Sequence, residues 1–193
     1  MTPLSDKDDL RKVLRARRRD LAEVLPDAAE RAALHLPLDD LPPFKVVAGY
    51  HALGSELSPW PALRRLAAHG ARIALPVALA PATPLIFRAF APDEPLEADA
   101  ARIPSPTADA QTLVPDLVIA PLLAFDRHGY RLGQGGGYYD RTLEQLRKAG
   151  RVFVIGLAYA GQEIDAAPRD EHDQPLDAIL TETGYHRVPT KDV

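Results

Sequence analysis

The chain has no cysteine among its 193 residues, which excludes disulfides, thiolate metal centres and cysteine nucleophiles. It has no basic excess either. Lysine and arginine number 23 against 27 acidic residues, a formal charge of −4, and bulk affinity for nucleic acid calls for the opposite balance. No uncharged apolar run approaches the roughly 18 residues of a membrane span, and the opening MTPLSDKDDLRK has no apolar stretch behind a basic start. These absences predict a cytoplasmic protein that binds neither nucleic acid nor membrane. No internal repeat or low-complexity tract is visible. The length fits one domain, 1–193, large enough to bury a core without metal or disulfide staples.

What is present is 46% hydrophobic residues, 26% charged residues and 19 prolines that fall mostly between apolar runs, as in LDDLPPF and APATPL. Ser5 followed by Asp8 resembles a capping box, and Leu10, Val13, Leu14, Leu21 and Val24 then recur at helical spacing up to Pro26. A shorter helix is predicted over 27–36 and another over 59–69, closed by Gly70. Strand candidates are 45–51, 72–77, 85–90, 116–125 and 151–159, the last two apolar nearly throughout, as strands buried on both faces are. A helix over 138–149, stopped by Gly150, stands between them. Strands alternating with helices predict an α/β fold: a mostly parallel twisted sheet with helices on both faces, a Rossmann-like three-layer single domain.

The stretch FDRHGYRLGQGGGYYDR, 125–141, places five of the chain's 12 glycines between Gly129 and Gly137. A glycine turn leading into a helix lets backbone N–H groups converge on a phosphate, because no Cβ blocks the approach and the helix start is electropositive. The spacing is neither G-x-G-x-x-G nor the P-loop G-x-x-x-x-G-K-[ST]. On glycine content alone, a tight structural turn and a phosphate cradle stay equally open. The flanks favour the cradle: Arg131 can pair with phosphate oxygens, and Asp140 can hold a Mg²⁺ that the phosphates also coordinate.

The run FDRHGYRLGQGGGYYD closely resembles the signature of the 5-formyltetrahydrofolate cyclo-ligase (methenyltetrahydrofolate synthetase) family, roughly F-D-x-x-G-x-R-L-G-x-G-x-G-Y-Y-D. KDDLR (7–11), HALGSELSP (51–59) and EHDQPLDAILTE (171–182) are similar to three further family segments, in the family's order. The resemblance implies closure of 5-formyltetrahydrofolate to 5,10-methenyltetrahydrofolate, with ATP as co-substrate, Mg²⁺ as cofactor and small molecules as the partners of a monomer. It implies nucleotide contacts from Lys7, Arg11, Arg131, Leu132, Gly133, Gln134, Gly135, Gly136, Gly137, Tyr138 and Tyr139. Folate would lie at His51, Glu56 and Tyr138, metal at Asp140 and Asp173, with Arg131 and Tyr138 closest to the chemistry. A non-catalytic nucleotide- or folate-binding relative is the alternative.

Where many family members have basic residues in the loop, this chain has Gln134 and Gly136, and at Ser58 and Pro59 it also departs from the common pattern. The family alternation predicts that side chains at Gly133, Gly135 and Gly137 face the phosphates and that Gly136 accepts lysine. Taken alone, the residues read more plainly. The run RKVLRARRR (11–19) is a solvated helix face, Glu56 a surface or cap residue, His51 a structural histidine, and the two tyrosines helix residues packing on the core. His172 is expected at most behind the metal ligands, and Trp60 in the core.

Overall fold

The computed structural model describes residues 3–189, with side chains from Lys7 onward. The first helix, α1 (Pro3–Val24), begins before Ser5, so Ser5 does not cap it, and its side chain lies outside the described residues. Asp8 instead turns back to Arg11 at 2.7 Å. α2 (Ala28–Leu34) follows, then β1 (Val46–Ala48), α3 (Trp60–Ala68) and β2 (Arg72–Val77). An antiparallel region comprises β3 (Ile86–Ala89), β4 (Leu96–Ala98), β5 (Pro104–Pro106) and β6 (Thr112–Leu113). The chain then runs through β7 (Leu117–Pro121), β8 (Ala124–Phe125), β9 (Arg131–Leu132) and α4 (Tyr138–Ala149). It closes with β10 (Phe153–Leu157), β11 (Ala178–Thr181) and β12 (Gly184–Arg187).

Eight strands form the main sheet in the order β12-β11-β10-β7-β1-β2-β3-β6. The five central strands, β11 to β2, are parallel, and antiparallel strands extend both edges. β4 pairs with β5, and β8 with β9, in two small ribbons beside it. Period-two alternation explains the layers. Leu117 and Ile119 of β7 point with Val47, Ile155 and Leu180 toward Ala32, Leu63 and Leu66 of α2 and α3. Val118 and Ala120 point the other way with Ala48 and Val154, toward Leu143 and Leu146 of α4. Helices therefore cover both faces, as the apolar strand pattern requires.

The predicted strand 116–125 is in fact two. Pairing to β1 ends at Val118 and to β10 at Pro121, and the chain turns through Leu122 and Leu123 before Ala124 starts a separate ribbon. The turn is held from the side: the buried Gln162 amide donates to the carbonyls of Leu122 (3.1 Å) and Leu123 (2.9 Å). Unsatisfied carbonyls at a buried break would otherwise be costly. No helix among the described residues is long and apolar enough to cross a membrane.

Candidate active site

Open α/β sheets collect ligands beyond the carboxyl ends of their parallel strands, and a cavity of about 340 Å³ lies there. Tyr50 and His51 follow β1, Pro76 and Ala78 lie at and just past the end of β2, and Pro121 and Leu122 at and just past the end of β7. The residues to which the resemblance gives nucleotide, folate or metal contacts all line this cavity: Lys7, Arg11, His51, Glu56, Arg131 to Asp140 and Asp173.

The glycine loop is not launched directly from the buried strand β7. The β8–β9 ribbon intervenes, and buried Asp126 shapes its turn by accepting the N–H groups of His128 (2.9 Å) and Tyr130 (3.1 Å) on Oδ1 and of Ala167 (3.0 Å) on Oδ2. The aspartate of the motif is thus a backbone organiser. The loop then enters α4 with Gly135 at φ +103° and Gly137 at φ +63°, conformations that favour glycine. No side chain caps α4, whose first turn borders the cavity.

Helix α1 grips the loop from outside. Arg11 Nε donates to the Gly133 carbonyl (3.2 Å), and Arg15 Nε to Gln134 Oε1 (2.9 Å). Lys7 Nζ lies 3.7 Å from Asp170, another cavity residue. Arg141 of α4 donates to the Gly136 carbonyl and stacks over the Tyr138 ring, its guanidinium carbon 5.7 Å from the centroid. A Cβ built on Gly136 would come within 2.9 Å of that ring, so the room for lysine that the sequence pattern predicts is taken by Tyr138. Gly133, by contrast, has open space at its Cβ position.

Two buried cations order two carboxylates. Arg131 donates to Asp140 Oδ1 at 2.7 Å and to the Gln174 carbonyl, while the Gln174 N–H donates to the same Asp140 oxygen at 3.1 Å. This three-way link ties β9, α4 and the 170–174 loop together. Asp173 sits on that loop and accepts the Asp170 N–H at 2.8 Å. Partial burial holds its carboxyl above the ordinary aspartate range against the pull of that hydrogen bond, and the negative charges of Asp140 and Asp170 add to the rise.

Across the cavity, Glu56 lies on the loop after β1. Oε2 accepts the Leu53 N–H (3.0 Å) and Oε1 faces Arg18 Nη1 at 3.4 Å, the two side chains only 10% and 7% exposed. Arg18 was invisible in the sequence among the basic residues of 11–19. The available signal was phase, since Lys7, Arg11, Leu14 and Arg18 recur on one face of a helix. Tyr139 is held well above the ordinary phenol range, chiefly by burial and then by the charge of Glu56. Its hydroxyl is buried without a hydrogen-bond partner among the described residues, an orphan donor beside the cavity.

His51 borders the cavity, whereas His172 is exposed against Glu171 and stands outside it. Trp60 packs on Phe90 with ring centroids 5.5 Å apart, in the core as expected. The sequence did not indicate the wall opposite the loop. Leu85, Asp99, Ala101 and Ile103 enter the lining from the antiparallel region. Asp99 braces this wall, accepting N–H groups of Ala101 (2.8 Å) and Ile103 (3.0 Å) on Oδ1 and of Ala78 (2.8 Å) on Oδ2.

Residues 3–182 match the 5-formyltetrahydrofolate cyclo-ligase family. A 5-formyltetrahydrofolate cyclo-ligase of Haemophilus influenzae is 36% identical over 143 residues, covering 70% of this chain and 75% of that protein. One from Mycolicibacterium smegmatis is 34% identical over 189 residues, covering 94% and 95%. The NMR structure of the Aquifex aeolicus 5,10-methenyltetrahydrofolate synthetase superposes with a TM-score of 0.75 at 28% identity, covering 97% of this chain and 95% of that one. A Mycoplasma pneumoniae 5,10-methenyltetrahydrofolate synthetase gives 0.70 at 27% identity, covering 92% and 99%.

Proposed function

The chain belongs to the 5-formyltetrahydrofolate cyclo-ligase family, and from that premise we propose that its cavity closes 5-formyltetrahydrofolate to 5,10-methenyltetrahydrofolate while ATP becomes ADP and phosphate. The observation that carries the reading is convergence. Residues from α1, the loop after β1, the glycine loop, α4 and the 170–174 loop, far apart in the chain, meet in one cavity with cations on one side and a buried carboxylate on the other.

The N5 formamide is a poor electrophile, and its oxygen is a poor leaving group. In the proposed reaction the formyl oxygen attacks the γ-phosphorus and ADP departs. N10 then attacks the formyl carbon, N10 loses its proton, and the oxygen leaves as phosphate. No enzyme nucleophile is required, which suits a chain with no cysteine. What the protein supplies is position and charge. We assign the phosphates to the Gly133–Gly137 backbone, the start of α4, Lys7, Arg11 and Arg131, and the pterin to Glu56, whose two oxygens suit the N3–H and 2-amino donors. Tyr138 is assigned to the face of the pterin and His51 to its edge.

Asp140 and Asp173 are assigned to Mg²⁺. The donor set fits: both carboxylates line the cavity, and burial first, then the like charge of Asp140, disfavours the Asp173 carboxylate, which a divalent cation would relieve. Mg²⁺ is commonly held by one or two carboxylates together with substrate phosphates. Bound there, Mg²⁺ would neutralise phosphate charge. We read the chain as one catalytic domain, a cytoplasmic monomer whose partners are its small-molecule substrates. The test mixes purified protein with 5-formyltetrahydrofolate, ATP and Mg²⁺ and follows the absorbance of the methenyl product. Product should form only with all three present, and its absence would overturn the proposal.

A further inference from the structure

We propose that Arg18 is a positioning residue for folate, holding the Glu56 carboxylate in the orientation that receives the pterin; the inference rests on the placement of the pterin at Glu56. Arg18 is buried and spends its guanidinium on one short segment and the strand end beside it. Nε donates to Ser55 Oγ at 3.1 Å, and Nη1 faces Glu56 Oε1 and the Leu122 carbonyl, each at 3.4 Å. Leu122 itself lines the cavity.

The depth of Arg18 is set by its helix. Leu14, one turn earlier on the same face, is buried with Leu123, Ala124 and Leu132. Lys7 and Arg11 from that face reach the cavity beside the glycine loop. One face of α1 therefore addresses the nucleotide end with its first turns and the folate end with Arg18.

Glu56 needs such a partner. It lies in an irregular loop, and apart from Arg18 the contact to its carboxylate is the Leu53 N–H on Oε2. One contact leaves the carboxylate plane free to rotate, whereas accepting two parallel donors fixes that plane. Arg18 supplies the second point. An ion pair buried this far is a weak stabiliser, because desolvation offsets its attraction, so its place at the wall of the cavity is better explained by orientation.

The test compares Glu56→Gln, Arg18→Met, Arg18→Lys and the Glu56→Gln/Arg18→Met pair in the full chain, reading KM for 5-formyltetrahydrofolate, KM for ATP, kcat and melting temperature. Methionine keeps the apolar stem and removes the charge. Arg18→Met is expected to raise the folate KM about tenfold, with the ATP KM and kcat within about twofold, and Arg18→Lys to fall between it and wild type. In the Glu56→Gln background, Arg18→Met should add less than about twofold, since a residue acting through Glu56 has nothing left to orient. Full additivity in the pair, or parallel rises in both KM values, would show a merely structural role and overturn the inference. Should Arg18→Met not fold, an Arg18→Lys protein with wild-type folate KM does the same. A silent Glu56→Gln instead removes the pterin from Glu56, and the inference falls with that placement.

Discussion

Removing Asp140 and removing Asp173 should have opposite consequences for stability, although both are assigned to the same ion. The Arg131 side chain is 5% exposed and its carboxylate partner 25%. Asp140→Ala leaves that guanidinium buried with only the Gln174 carbonyl, and strips the Gln174 N–H of its acceptor. Breaking a fully buried pair from one side costs about 3–5 kcal/mol. The partial exposure of Asp140 lets water in, so about 2–4 kcal/mol is expected, a fall of roughly 5–12 °C in melting temperature for a chain of this size. Asp173 differs. Its charge is disfavoured in the folded state by burial and by Asp140 and Asp170, and its side chain accepts one local N–H. Asp173→Ala should therefore leave the melting temperature unchanged or slightly raised near pH 7. Both variants should lose most Mg²⁺-dependent turnover. The assay is thermal denaturation without ligands beside initial rates across a magnesium titration. Equal melting temperatures for Asp140→Ala and wild type, or a larger fall for Asp173→Ala, would refute the distinction.

Three further expectations concern the loop and the tyrosines. Gly133→Ala, at an open position with an ordinary φ, should fold normally, and because Gly133 lines the cavity its effect should fall on ATP KM. Gly135→Ala must adopt φ +103°, and Gly136→Lys must displace the Tyr138 ring. A Gly136→Lys protein is accordingly expected to lose folate affinity, and unchanged folate KM would show that the ring moves freely. Tyr50 and Tyr139 are held above the ordinary phenol range, first by burial. The native state keeps protons that the unfolded chain releases from pH 10 upward, so stability is intact below pH 10 and falls above it. The slope is up to about 1.4 kcal/mol per pH unit for each group. Urea melts at pH 9 and 10.5 measure this, and equal midpoints would contradict the assignment.

The sequence disclosed elements where local and tertiary preferences agree. β2 and α4 have the predicted bounds, because alternation and a terminal glycine coincide with the packing. The chain break at Leu122 and Leu123 was illegible because both residues are buried, so the apolar run continues while the backbone turns. The signal was elsewhere, in Gln162, which satisfies the carbonyls there. β5 begins and ends with proline and escaped notice as an edge strand in a two-stranded ribbon, where a missing N–H is tolerated. β11 lay inside a stretch read for its site residues rather than its pattern. At the site, the residues carried by motif were legible, while Ala78, Asp99 and Ile103 were not, since only tertiary folding brings them to the cavity. Arg18 shows the limit most clearly. Composition marked it as one solvated charge among several, and burial separates it from its neighbours.

The elements around the loop explain how the proposed phosphate site would work without lysine or arginine at Gln134 and Gly136. Charge reaches it from the flanking elements. Arg11 and Arg15 come from α1, and each is anchored to the loop by a hydrogen bond, to the Gly133 carbonyl and to Gln134. Arg141 comes from the first turn of α4 and holds the Gly136 carbonyl. A guanidinium bonded to a loop carbonyl fixes the orientation of that peptide, and fixed loop peptides suit the backbone cradle proposed for the phosphates. Arginine on a helix is also ordered before any ligand arrives, whereas a long side chain on a glycine loop must be ordered on binding, at an entropic cost. The same helix-borne arrangement continues to Arg18 and Glu56. α1 thus supports residues of both proposed substrate sites, and a shift of that helix would move Arg11 and the Arg18–Glu56 pair together.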